Sequence, residues 1–302
     1  MKFQHFLLVL LNLIVIGFLI FYFLIPGNVI NYKSKNTNPN FIVGNNTTQM
    51  QFYPNMRFPT TNISYDISKN CSISKKESMI EAFKIIENKT FLKFYPSNDA
   101  QVKVICQDNY KVNNGMFIAG EGGPTKIISE NKFNVILEGE ILLIKNSNCA
   151  HPNVEIHELL HVLGFVHSNN KNNIMYPVSD CSQTLGNDIP ALLNKLYSTP
   201  NYPDLMVSNA SASISGRYLN LNFSITNDGL AKSPSTTAEV YADNSLVKTT
   251  TIRPIDIGNG LDIRFANIFL TKIKTNEIKI VVVNRTNELS TDNNELVLAR
   301  KD

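Results

Sequence analysis

The chain lacks a clear excess of either positive or negative charge. Its 302 residues carry 28 Lys and Arg against 25 Asp and Glu, a formal net charge of +3, and no Lys/Arg stripe is visible. Because nucleic-acid binding needs clustered basic side chains, the sequence argues against a nucleic-acid partner. With 43% hydrophobic and 18% charged residues, the composition fits about two globular domains plus an apolar segment.

Cysteine is also sparse, and no two cysteines form a C-x-x-C pair. That absence argues against a zinc ribbon and against a thioredoxin-like redox site. Four well-spaced cysteines in an exported chain are typical of two disulfides, for which three pairings are available. We predict the pairs Cys71–Cys106 and Cys149–Cys181. The alternative is four free buried thiols, which would suit a cytosolic domain.

The N-terminus contains the longest apolar run. Phe6–Ile25 is uncharged, and a helix of that length spans ~30 Å, the thickness of a bilayer core. No A-x-A-like cleavage pattern follows Ile25. We therefore predict that residues 1–25 form a transmembrane signal anchor, with secretion after signal cleavage as the alternative. Residues 26–61 are polar and Asn-rich, which is typical of a stalk or linker.

An eleven-residue run, H-E-L-L-H-V-L-G-F-V-H, begins at His157. On a helix, His157 and His161 lie one turn apart and can bind one metal ion together. Glu158 is about 100° around the same helix, close enough to act on a water at the metal without being a ligand. We expect Gly164 to end the helix, so that the chain turns and brings back His167 as a third ligand. Three protein ligands leave a fourth position for water, which is the catalytic arrangement of Zn²⁺.

This run has the H-E-x-x-H-x-x-G-x-x-H form of the metzincin zinc peptidases, and the chain resembles that family. Met175 stands where a metzincin carries its Met-turn, and a methionine there would give the metal site an apolar floor. Ser168 and Tyr176-Pro177 resemble the matrixin branch, the matrix metalloproteinase type. The resemblance implies one catalytic Zn²⁺ and a protein or peptide substrate. No motif indicates calcium, and no P-R-C-G-type segment is present to keep the zinc latent.

The predicted elements fit that resemblance over about residues 61–197. Alternation at Asn62–Ser68 predicts a strand, apolar residues at helical spacing predict a helix to about Asn88, and two further strands follow. The zinc helix and a short helix ending near Tyr197 complete the pattern. For residues 62–200 we therefore predict an α+β metzincin-like catalytic domain with a twisted mixed sheet and about three helices.

The resemblance also implies where substrate binds. In the family, the edge strand just before the zinc helix pairs with the extended substrate through main-chain hydrogen bonds. By position we assign that role to Pro124–Ser129, which contains Ile127 and Ile128, with Gly115–Gly120 as the competing choice. The alternative is that these are ordinary sheet residues. The S1′ pocket would be lined by Pro177, Val178 and Ser179.

Residues 203–302 follow a turn-rich boundary and have an all-β pattern. Apolar residues at Leu219, Leu221 and Phe223 alternate with polar ones, and about seven short strands in ~100 residues predict an immunoglobulin-like sandwich. Pro203–Val207 contributes to a resemblance to the cell-adhesion-related module that follows many exported bacterial and archaeal enzymes. No cluster of catalytic residue types is present. We interpret this domain as a spacer or as a module that binds cell-envelope components.

These features together predict a membrane-anchored zinc endopeptidase that works outside the cytoplasm, with Glu158 as the general base. The competing interpretation is an adhesion or envelope-binding protein whose zinc domain is a non-catalytic scaffold. The intact Glu158 argues against that interpretation. Hydrolysis of an amide in a non-protein substrate is a further alternative.

Overall fold

In a computed structural model, the structure describes residues 5, 10–17, 29–34, 50–108, 111–113, 116–129, 132–144, 149–272, 274–283 and 286–300. Two large apolar clusters organise these residues, one in the N-terminal domain and one in the C-terminal domain. The first described strand, β1 (Val29–Ser34), belongs to the C-terminal domain.

The N-terminal domain combines a mixed sheet with three described helices. Its elements, in chain order, are β2 (Met56–Arg57), β3 (Asn62–Ile67), α1 (Ile73–Lys89), β4 (Lys93–Pro96), β5 (Val102–Cys106), β6 (Lys111–Asn113), β7 (Met116–Ile118), β8 (Gly120–Ser129), β9 (Asn134–Leu143), α2 (Asn153–Val162) and α3 (Asp188–Tyr197). The mixed sheet and the three helices match the fold predicted for residues 62–200.

The sheet places one antiparallel strand at its edge. Strands β4, β3, β5, β9 and β2 are parallel neighbours in that order, and β8 pairs antiparallel with β9 over its whole length. No other described strand pairs with β8, so its second edge is open for main-chain hydrogen bonding. Gly115–Gly120 was the competing choice for the substrate-binding strand. Its central part is β7, which forms a hairpin with β6, and Gly115 lies outside the described residues.

Helix α2 lies at the centre of the N-terminal domain. All ten of its residues are buried, because β8, β9 and α1 cover it on one side and residues of the following segment, such as Phe165 and Ile174, cover it on the other. This burial is the environment that its nearly all-apolar sequence predicts. His157, Glu158 and His161 are therefore held in a packed interior, where side chains keep fixed positions.

Two disulfides stabilise the N-terminal domain, and they join Cys71 to Cys106 and Cys149 to Cys181. The first links the segment before α1 to the end of β5. The second links the segment before α2 to the segment after Met175. These are the pairs expected from the sequence.

The C-terminal domain is all-β. Its strands after β1 are β10 (Leu205–Ser215), β11 (Tyr218–Asn227), β12 (Thr236–Ala242), β13 (Ser245–Ile252), β14 (Gly260–Phe269), β15 (Glu277–Val283) and β16 (Glu295–Arg300). They follow one another in the order β13-β12-β15-β16-β1-β10-β11-β14, and every pair is antiparallel. Alternate residues of β11, β12 and β15 are buried in one shared core, as period-2 alternation predicts.

Part of the predicted stalk is a strand of the C-terminal domain. Strand β1 lies between β10 and β16 and pairs with both, and Tyr32 donates a hydrogen bond to the carbonyl of Thr275. The prediction of a linker over residues 26–61 therefore fails here. The reason is that β1 has only six residues and gains its partners from strands that lie more than 170 positions away in the sequence.

The end of the predicted stalk is also structured. Met56 and Phe58 are fully buried in the core of the N-terminal domain, and Arg57 is 1% exposed. The Arg57 guanidinium donates hydrogen bonds to the carbonyls of Leu196 and Thr199 and lies 4.3 Å from the ring centroid of Tyr197. Burial lowers the pKa of Arg57, and the carbonyls at the end of α3 compensate its buried charge.

The predicted membrane anchor is not supported. Among the described residues, no helix combines the length and the apolarity that crossing a bilayer requires. Within residues 1–25, only positions 5 and 10–17 are described, and they are helical. The rest of the predicted anchor lies outside the described residues.

Candidate metal centre

The zinc-motif helix ends as its glycine predicts. Gly164 has a φ of +96°, its N–H donates to the carbonyl of His161, and the N–H of Phe165 donates to the carbonyl of Leu160. These two bonds form a Schellman motif, in which the residue at the left-handed position is usually glycine. The chain therefore leaves the helix axis sharply and returns His167 to the level of His157 and His161.

The three imidazoles converge on one point. The Nε2 atom of His161 lies 3.0 Å from Nε2 of His157 and 3.1 Å from Nε2 of His167. The Nδ1 atom of His157 is 2.7 Å from the carbonyl of Ile174, and Nδ1 of His161 is 2.8 Å from the carbonyl of Phe165. A carbonyl only accepts, so each of these Nδ1 atoms carries the proton and each corresponding Nε2 offers a lone pair.

This donor set fits one zinc ion. Zn–N bonds of about 2.0–2.1 Å at tetrahedral angles place ligand nitrogens about 3.3–3.4 Å apart, close to the two separations observed. Without a cation, lone pairs of neutral imidazoles would face each other at hydrogen-bond distance. Among the described residues, His157, His161 and His167 form the one cluster of His, Cys, Asp or Glu side chains suited to a metal.

The electrostatic environment keeps the three rings neutral. Burial lowers the pKa of His157 and of His167, and burial together with the neighbouring His157 lowers the pKa of His161 to about 4. Neutral imidazole is the form that binds a metal. At neutral pH the rings are therefore already in their ligand state.

Glu158, a residue of α2, is buried against strand β8. Its side chain is 6% exposed, and burial, followed by the charges of Glu121 and Glu155, raises the pKa of its carboxyl to about 8. A carboxyl with this pKa exchanges protons near neutral pH, which suits general acid–base chemistry. A cation beside it would favour the ionised form.

Two glycines permit this arrangement: Gly120, which the sequence analysis placed in the competing substrate segment, and Gly122, which it did not assign to the site. A Cβ on Gly120 would lie 2.7 Å from Cγ of Glu158, and a Cβ on Gly122 would lie 2.3 Å from the carbonyl oxygen of Glu158. Strand β8 can approach the zinc helix this closely because these positions lack side chains. The available signal was the run G-E-G-G at Gly120, just before the β-prone part of β8.

The segment after His167 is attached to the metal site by hydrogen bonds. Met175 is 1% exposed, and its carbonyl accepts a hydrogen bond from the N–H of Ser168. The preceding carbonyl, that of Ile174, orients His157. Asn153, at the start of α2, donates to the carbonyl of Asp180, next to Cys181. This segment is thus fixed to the zinc helix at both ends.

We expect removal of the Cys149–Cys181 disulfide, as a double substitution to Ser, to lower the free energy of unfolding by about 3–4 kcal/mol, the loop-closure value for a separation of 32 residues. It should also weaken zinc binding, because the segment that orients His157 is released. The matched control is the double Ser variant of Cys71 and Cys106, with a separation of 35 residues. The control should lose similar stability without losing zinc affinity, as measured by denaturation and by competition with a chelator.

The residues predicted to contact substrate differ in their exposure. On β8, Ile127 packs against the main core and Ile128 against a smaller cluster, so both side chains are committed to packing. The backbone of β8 remains at the open sheet edge. Pro177, Val178 and Ser179 are exposed, and the carbonyl of Val178 accepts a hydrogen bond from Gln183.

One aromatic residue near the site was not anticipated. Phe52 is 43% exposed, and its ring centroid lies 6.0 Å from that of His161. Its N–H donates to the carbonyl of Gly164, which holds this segment beside the turn of the zinc motif. Residues 26–61 were interpreted as a linker, so the sequence analysis had no reason to place Phe52 there.

Two family models match the chain. Residues 50–176 match Astacin, a peptidase family, and residues 202–297 match CARDB. No curated protein is a significant match.

Three solved structures illustrate the similarity, with low TM-scores. The CARDB domain of a Pyrococcus furiosus protein in complex with di-metal ions has 21% identity and a TM-score of 0.29, over 33% of this chain and 88% of that one. High choriolytic enzyme 1, a hatching enzyme zinc-protease from Oryzias latipes, has 19% identity and a TM-score of 0.25, over 36% and 46%. A domain from Methanosarcina acetivorans, described as a cell surface protein, has 20% identity and a TM-score of 0.26, over 33% and 91%.

The matches change one prediction from the sequence. Ser168 and Tyr176-Pro177 suggested the matrixin branch, but the matching model is that of the astacins, so the matrixin assignment is not supported. A few residues beside a shared metal motif cannot define a branch when the motif itself dominates the resemblance. The metzincin motif, the histidine cluster and the Astacin match agree on the broader class, that of the metzincin zinc peptidases. Residues 50–176 are thus similar to the astacin zinc-metallopeptidases, and residues 202–297, which follow them, are similar to CARDB domains.

Proposed function

We propose that the N-terminal domain is a zinc endopeptidase in which Glu158 is the general base. The observation that carries this proposal is the convergence of three imidazole Nε2 atoms from one helix and its return segment, with the buried carboxyl of Glu158 on the same helix. Three ligands rather than four correspond to a catalytic site.

The protein side chains divide the chemistry between them. His157, His161 and His167 would hold the ion, which, when bound, supplies Lewis-acid chemistry by lowering the pKa of water and polarising a carbonyl. Glu158 accepts a proton from the attacking water and then donates it to the departing amine. Its burial prevents bulk water from competing for that proton.

The open edge of β8 supports a peptide substrate. An extended peptide can pair with β8 by main-chain hydrogen bonds, which require no particular side chain. Pro124 interrupts the row of N–H donors within β8 and therefore divides the strand into two pairing segments. The segment at Gly120–Gly123 is the one beside Glu158.

The location we propose is outside the cytoplasm. The two disulfides support this location, because disulfides are typical of oxidising compartments. The apolar run of residues 6–25 supports export, and attachment to a membrane through that run stays a prediction from the sequence. For the CARDB domain, binding to cell-envelope components is likewise proposed from its adhesion-related class.

A metal-removal experiment tests the proposed function. We expect the chain from Val29 onwards to cleave members of a diverse peptide library. A chelator should lower the cleavage rate by at least ~10³-fold, and one equivalent of Zn²⁺ should restore it. The fragment begins at Val29 because a later start would truncate β1. Product analysis by mass spectrometry locates the cleaved bonds. Absence of cleavage by the zinc-loaded protein would favour the adhesion interpretation.

A further inference from the structure

A third apolar cluster joins the two domains. Phe133 and Val135, at the start of β9, pack with Leu230 of the CARDB domain, and these three side chains are 2%, 1% and 0% exposed. Partly buried residues from both domains surround them: Ile128 and Leu137 from the peptidase, Ile257 and Leu289 from the CARDB domain. Burial this complete is typical of a packed interface rather than of two tethered domains.

A buried ion pair lies beside this cluster. The ammonium of Lys132, two residues before β9, contacts the carboxylate of Asp204 in the CARDB domain, and these side chains are 2% and 0% exposed. Asn293 donates to the other carboxylate oxygen, and Asn55 donates to the carbonyl of Lys132. A buried charge requires a partner, and for Lys132 and Asp204 this ion pair is formed across the boundary between the two domains.

The interface between the two domains extends to β8, the strand proposed to bind substrate. At one end of β8, Gly120 and Gly122 lie against Glu158. Towards its other end, the side chain of Ile128 packs against the interdomain cluster, and Lys132 comes three residues after the last residue of β8. Strand β8 is therefore supported by the zinc helix at one end and by the CARDB domain at the other.

We infer that the CARDB domain acts as a positioning element for β8, ordering the part of the substrate-binding edge that is remote from the metal. This inference rests on the proposed peptidase function. Substrates long enough to pair with Lys126–Ser129 should depend on the docked CARDB domain. Short peptides that reach only Gly120–Gly123 should not.

The experiment compares Lys132→Met with Lys232→Met in the full chain. Lys232 pairs with Asp256 close to the same interface, but both side chains are about 60% exposed, so its loss should have little effect. We expect amide hydrogen exchange at Ile127–Ser129 to rise about tenfold or more in Lys132→Met and to stay unchanged in Lys232→Met. KM for a twelve-residue peptide should rise about fivefold or more in Lys132→Met, while kcat and KM for a six-residue peptide should not change.

Equal exchange at Ile127–Ser129 in the two variants would overturn the inference. If Lys132→Met does not fold, Leu230→Ala takes its place, because it opens the same interface and retains the ion pair. A uniform loss of activity on both peptides would also overturn the positioning role. If wild type cleaves no peptide, the proposed function fails, and the exchange measurement still decides whether docking orders β8.

Discussion

Replacing Glu158 by Gln should lower kcat for peptide cleavage by about 10²–10⁴-fold while the protein retains one zinc ion. Gln has the size of Glu but cannot accept the proton of the attacking water. Two of the imidazoles that would hold the ion are oriented by the carbonyls of Ile174 and Phe165 and do not depend on the carboxyl. Rate assays with one peptide and metal analysis of the purified variant measure both quantities.

The same substitution should increase the stability of the zinc-free protein. Because the pKa of Glu158 rises from 4.5 to about 8 on folding, the folded state keeps a proton that the unfolded state releases between those pH values. The free energy of unfolding therefore falls as pH rises through this window. The free energy of unfolding of zinc-free Glu158→Gln should exceed that of zinc-free wild type by about 3–5 kcal/mol at pH 8, and this difference should vanish near pH 4.5.

Two results would contradict this account of Glu158. A variant that binds zinc and cleaves at the wild-type rate would remove its role as the base. A stability difference that is the same at pH 4.5 and pH 8 would show that burial does not control its protonation. In the zinc-loaded proteins the difference should be smaller, since a nearby cation favours the ionised carboxyl.

Replacing Gly122 by Ala should destabilise the peptidase domain by about 3 kcal/mol or more and abolish cleavage. The added Cβ would lie 2.3 Å from the carbonyl oxygen and 2.9 Å from Cα of Glu158. Both are backbone atoms of the zinc helix, so no side-chain rotation relieves the overlap. Strand β8 and helix α2 would have to separate, and the metal ligands would move with the helix.

The adjacent Gly123 offers a matched control, because a Cβ there has no atom within 4 Å. Gly123→Ala should be neutral or about 0.5–1 kcal/mol more stable, since alanine loses less conformational entropy in a strand. Thermal unfolding and the peptide assay separate the two variants. Equal effects of Gly122→Ala and Gly123→Ala would mean that the close approach of β8 to α2 is not required.

The zinc site could be predicted from the sequence because its determinants are local. His157 and His161 are related by helical geometry, and Gly164 fixes the turn that returns His167. Each of these relations spans only a few residues. The burial of the helix followed from its nearly continuous apolarity.

The remaining features depend on contacts between residues distant in the sequence. Strand β1 and Arg57 were interpreted as parts of a linker, although their partners lie near residues 212 and 196. The interdomain ion pair of Lys132 with Asp204 could not be predicted from the sequence, because isolated charged residues are usually exposed. The matrixin assignment was not supported because it rested on three residues beside a motif shared by the whole class.

Strand β1 makes the peptidase an insertion within the CARDB domain. Both chain connections of the peptidase, one through residues 35–49 and the other through residues 198–204, lead to the same β-sheet. A single nick in either connection would therefore leave the two domains joined covalently by the other. Shedding of the peptidase as a free fragment would require two cuts.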